Sequence, residues 1–150
     1  MSNLKRTLAS SWTDIEVKVL TTKKEIGNTV RNNYQIFYDG DLVEVEETIG
    51  PDLTVIKFLG ENILFISALS VVLSKNLGEI QLCYANKDVK AHRTEIVVYY
   101  SQNDILDEDT RERMIFFHKQ QNLDFEYFEL DKLVSNSNSY FGASNRSKNY

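Results

Sequence analysis

A chain of 150 residues with 42% apolar and 26% charged side chains is long enough for one domain with its own core, and needs neither metal nor disulfide to fold. The single cysteine, Cys83, excludes an internal disulfide, and the most apolar stretch, Leu53 to Leu77, is too broken by Lys57, Glu61 and three serines to cross a bilayer. The net charge of -5 is concentrated: residues 32–61 carry one basic against seven acidic side chains, and residues 101–131 carry three against nine. That distribution repels nucleic-acid backbones and favours basic partners.

The start Met1-Ser2-Asn3-Leu4-Lys5-Arg6 shows no apolar stretch of the secretory kind. Together with the lone thiol this gives the expectation of a cytoplasmic protein. Leu4 to Ser11 suits a short helix, and Trp12 a core anchor. Asp14 to Leu20 alternates Ile15, Val17 and Val19 with Glu16 and Lys18, the period of a strand with one wet face.

Asp39-Gly40 stands between two β-rich runs. A two-residue turn of type I′ needs positive φ at both positions, which Asp tolerates and Gly prefers. The register that follows over 34–46 pairs Tyr38 with Asp41, Ile36 with Val43 and Tyr34 with Val45. One face of the hairpin is then apolar, while Gln35, Glu44 and Glu46 lie on the other. A slip of one residue would bring the glutamates inside.

Leu53 to Leu59 reads as a strand. From Ile63 two readings compete: the favoured one, a central strand Ile63–Ser67 followed by a short helix, and one largely buried helix to Asn76 with Ser67, Ser70 and Ser74 on a single stripe. Glu79 to Tyr84 alternates, and Ile96-Val97-Val98-Tyr99-Tyr100, which does not, predicts a strand buried on both faces.

Asp104 or Asp107 predicts the cap of the next helix, with acids in its first turn and His118 and Lys119 near its end. A helical wheel started at Leu106 puts Thr110, Met114, Phe116 and Phe117 on the buried side. Ile115 falls outside among Glu108, Arg111 and Lys119. Leu123 to Leu130 alternates again, so residues 94–130 form a strand-helix-strand unit. From Ser135 the composition turns to Ser, Asn and Gly, which predicts a structureless tail or, with Tyr140 and Phe141, a docking peptide.

The expected fold is α+β: a single domain over 1–134 with a mixed, mostly antiparallel sheet, and a flexible tail over 135–150. Motifs for chemistry are sparse. His92, His118 and Cys83 lack ligand spacing, so no metal or cofactor is expected. Pro51-Asp52 with Asp88-Val89-Lys90 has the residue types of a metal-dependent nuclease, but both pairs fall in turn signals.

The expectation is therefore a non-enzymatic domain that binds a basic protein partner, as an acidic inhibitor or immunity-type neutraliser of a nuclease toxin would. Neither nucleic acid nor membrane is among its expected partners, and a homo-oligomer is compatible with the sequence. Its predicted contact residues are Asp39, Asp41, Glu44, Glu46, Glu47, Asp107, Glu108, Asp109, Glu112 and Ile115, on condition that the two acidic segments converge. The alternatives are a structural or adaptor subunit of a larger phage or multiprotein assembly, and a small nuclease.

Overall fold

The computed structural model describes residues 4–25, 27–88, 93–103, 105–121 and 124–148; the side chains of 25, 88 and 143–148 also lie outside the description. The chain runs α1 (Leu4–Ala9), β1 (Glu16–Glu25), β2 (Thr29–Tyr38), β3 (Asp41–Ile49), β4 (Thr54–Gly60), α2 (Ile63–Leu77), β5 (Glu79–Asp88), β6 (Arg93–Ser101), α3 (Glu108–Gln121), β7 (Phe125–Tyr127) and α4 (Leu130–Lys148). The strands form one sheet in the order β1-β2-β3-β4-β6-β5-β7, every neighbouring pair antiparallel.

The β2–β3 hairpin has the predicted register, Tyr38 opposite Asp41 through Tyr34 opposite Val45. Asp39 and Gly40 both adopt positive φ, 49° and 83°, as a type I′ turn requires. Because side chains alternate, this register fixes which faces meet the core. Ile36, Val43, Ile56, Phe58, Ile96, Val98 and Tyr100 all point to one side and are buried there under α2.

Residues 63–77 form a single helix rather than a strand followed by a helix. The helix is apolar nearly all round because the sheet, α1 and α4 each cover part of it, and such a helix shows no periodicity to separate it from a buried strand. Its serines are satisfied internally: Ser67 Oγ donates to the Ile63 carbonyl and Ser70 Oγ to that of Ile66, each at 2.9 Å. Asn62 caps the start, accepting from Phe65 N at 3.1 Å. Gly78 closes the end at φ 100°, where a Cβ would come within 2.3 Å of the Ser101 carbonyl oxygen.

β6 lies inside the sheet and is buried on both faces, as its unbroken apolar run predicts. Tyr100 donates from its hydroxyl to the Ser70 carbonyl of α2 at 3.0 Å, while Tyr99 faces the opposite side and α3. The strand-helix-strand unit is split: β6 and β7 are parallel to each other but both pair with β5 between them.

The largest departure lies beyond Ser135. Residues 135–148 continue a helix begun at Leu130 instead of forming a structureless tail, while 149 and 150 lie outside the described residues. Leu133 and Ser137 are buried against α2, and Phe141 stacks on Trp12 with centroids 5.3 Å apart. Tyr140 packs on Phe65 at 5.4 Å, completing a ring cluster with Tyr38. The spacing Leu130, Leu133, Ser137, Tyr140, Phe141 is that of a helix face. The low helix propensity of Ser and Asn concealed it, and packing rather than propensity holds the helix.

Candidate protein-binding surface

The predicted contact residues separate into four groups. On the hairpin, Asp39 is exposed in the turn, while Asp41 accepts from Asn62 Nδ2 at 2.9 Å and so helps hold the cap of α2. Glu44 pairs with Arg93 at 3.3 Å and Glu46 with Arg31 at 3.5 Å, both on the sheet face away from α2. These half-exposed pairs contribute about 0–1 kcal/mol each and leave little uncompensated acid on β3.

Glu47 is not a surface residue. It is fully buried, and its Oε1 accepts from Tyr34 OH at 3.0 Å and from Asn32 Nδ2 at 3.1 Å. Parity with Val43 and Val45 in the same strand places it inside.

On α3, Asp107 is the N-cap, accepting from Thr110 N at 2.7 Å; that bond holds its carboxyl below the usual carboxylate range. Asp109 pairs with Arg113 one turn on. Glu108 and Glu112 are exposed, with no ion pair among the described residues. Asp104 lies outside the described residues.

Ile115 does not belong to an outer face. The half-buried residues of α3 are Thr110, Arg111, Met114, Ile115 and His118, a stripe turned toward the sheet. His118 stacks on Tyr84 with centroids 4.5 Å apart, and its Nε2 lies 3.2 Å from Tyr99 OH. Burial, and then the Lys57 charge, hold its pKa below the ordinary histidine value. Phe116 and Phe117, predicted to be buried, are 62% and 57% exposed. Thr110 and Met114 lie on the buried side as predicted; centring that side on Leu106, which precedes the N-cap, set it about a quarter turn off and exchanged Arg111, Ile115 and His118 for Phe116 and Phe117.

The two acidic segments do not converge. Arg111 Nε donates to the Gln81 carbonyl at 2.8 Å, which places the start of α3 at the beginning of β5, whereas the Asp39 turn lies where β5 ends. Three strand spacings and roughly seven residues of strand separate Asp41 from Gln81, a distance on the order of 25 Å. The condition behind an acidic face built from both segments is not met.

The nuclease arrangement fails in the same way. Asp52 precedes Thr54, which pairs with Tyr100, and Asp88 pairs with Arg93 at the other end of β6, so the two acids cannot share an ion. Val89, Lys90 and His92 lie outside the described residues, and among those described no group of His, Cys, Asp and Glu could hold a metal. Cys83 is buried, donates to the Phe128 carbonyl at 2.8 Å and has its thiol pushed up to about 12 by burial, which makes it an inert core residue. No helix among the described residues is long and apolar enough to cross a membrane.

What remains is the outer face of α3. Phe116 follows Glu112 by one turn and Phe117 follows Arg113 by one turn, so two exposed rings stand directly beyond the acidic start of the helix. Comparison with protein-family models, with curated proteins and with solved structures found no match for this chain.

Proposed function

We propose that this is a non-enzymatic protein-binding domain that contacts a basic partner through the outer face of α3. Phe116 and Phe117 act as the apolar anchors, and Glu108 and Glu112 form an acidic rim beside the Asp109–Arg113 pair. The observation that carries this reading is the exposure of two adjacent phenylalanines on a helix whose other face is already used against the sheet. Buried aromatic anchors supply most of the affinity in such contacts, while rim charges set encounter rate and orientation.

A basic enzyme such as a nuclease toxin is one partner of this kind. Asp39, Asp41, Glu44, Glu46 and Glu47 have no part in this contact, since they lie on or under the distant hairpin. An adaptor role with residues 135–150 threading into a neighbour loses its support, because Tyr140 and Phe141 are engaged on Trp12 and Phe65 of their own chain.

The test compares proteins retained from native lysate by the wild-type chain and by Phe116→Ser/Phe117→Ser. The expected result is a basic protein whose affinity falls at least 30-fold in the double variant, about 2 kcal/mol, and whose association with wild type slows as salt rises. A partner bound equally by both chains, or none that distinguishes them, overturns the proposal.

A further inference from the structure

β7 pairs only with Tyr84 to Asn86, so the first half of β5 borders a groove of about 390 Å³ instead of another described strand. Its walls include Leu82, Leu106, Phe128 and Leu130, and Arg111 reaches into it from the inner face of α3. Arg111 is held in place by its own Nε, which donates to the Gln81 carbonyl at 2.8 Å. Its two terminal nitrogens have neither hydrogen bond nor ion pair among the described residues. Gln81, the bulged residue of β5, turns its buried side chain back to the Glu79 carbonyl at 3.3 Å. The bulge and these two side-chain contacts occupy backbone acceptors of the strand edge, which disfavours addition of a further strand.

We propose that this groove binds a small monocarboxylate with an apolar body. A guanidinium fixed through Nε presents the parallel pair of donors at its far end, the geometry that a carboxylate matches with two hydrogen bonds. Leu106 and Leu130 offer apolar surface to a short hydrocarbon chain, with Leu82 and Phe128 buried behind them, and the volume falls within the range of small-molecule sites. Exposed Glu79 stands at one end of the groove and disfavours a second negative group there, which selects one carboxylate over two. The site uses the inner face of α3 and is independent of the partner contact made by Phe116 and Phe117.

Isothermal titration of the full chain with octanoate, octanol and octylamine tests this. Octanoate is expected to bind saturably, octanol at least tenfold more weakly, and octylamine not measurably. Arg111→Gln is expected to lose at least tenfold in octanoate affinity, and Arg113→Gln, on the outer face, none. If Arg111→Gln does not fold, amide shifts of the wild-type chain on octanoate addition, expected at Gln81, Leu82, Leu106 and Phe128, take its place. Equal binding of octanoate and octanol, full affinity in Arg111→Gln, shifts elsewhere, or no saturable binding overturns the proposal. Binding of a short peptide with a free apolar C-terminus, but not of octanoate, also overturns it.

Discussion

Tyr34 donates its hydroxyl to the carboxylate of Glu47 across the β2–β3 pair at 3.0 Å, inside the core rather than at the surface. Asn32 adds a second donor to the same oxygen. Replacing Glu47 with Ala strips an acceptor from two buried donors and is expected to cost about 2–4 kcal/mol, whereas Glu47→Gln keeps an acceptor oxygen and is expected to cost about half as much. Urea unfolding midpoints measure both, and equal small losses in the two variants would contradict the buried role.

Ile115 and Phe117 exchange their predicted parts. Ile115→Asp introduces a charge between α3 and the sheet and is expected to destabilise that contact by about 1–3 kcal/mol, with faster amide exchange along α3. Phe117→Asp removes a ring that is already 57% exposed, and is expected to change stability by less than about 0.5 kcal/mol. The reverse order would mean that α3 packs through its aromatics after all.

α4 is fastened by rings. Phe141→Ala removes the partner stacked on Trp12, the only tryptophan in the chain. The expected result is a red-shifted emission and a loss of about 1–3 kcal/mol. Unchanged emission from the folded variant would show that Phe141 does not cover Trp12.

The histidine beneath α3 gives the fold a pH dependence. His118 has its folded pKa lowered by burial and by Lys57, and Tyr84, Tyr99 and Phe117 are among the groups in contact with it. Above the unfolded value of about 6.5 both states are neutral and no penalty arises. As pH falls through that value the unfolded chain takes up a proton that the folded chain resists, so stability declines until the lower folded pKa is reached. Wild type is therefore expected to lose more stability than His118→Phe between pH 7.5 and 5.5 in urea titrations, and parallel curves would refute this.

Where local rules act alone, the sequence carried the answer. The Asp39-Gly40 turn fixed the hairpin register, since positive φ at two successive residues admits few alternatives, and alternation then assigned each side chain of β2 and β3 to a face. The same alternation places Glu47 inside, a signal available from sequence that composition-based counting of acids overrides. The unbroken run of β6 marked a strand covered on both sides.

Tertiary structure decided the rest. α2 is enclosed from several directions, and its apolar residues therefore carry no period to read. α4 is helical because α2 and Trp12 offer its apolar face a surface, through contacts between parts of the chain far apart in sequence, 69 residues from Ser67 to Asn136 and further from Trp12 to Phe141, that no local propensity encodes. The relation between the acidic segments depended on strand order. That order follows from which hydrophobic faces pack best once the whole sheet is assembled, and it put the hairpin turn and the start of α3 at opposite ends.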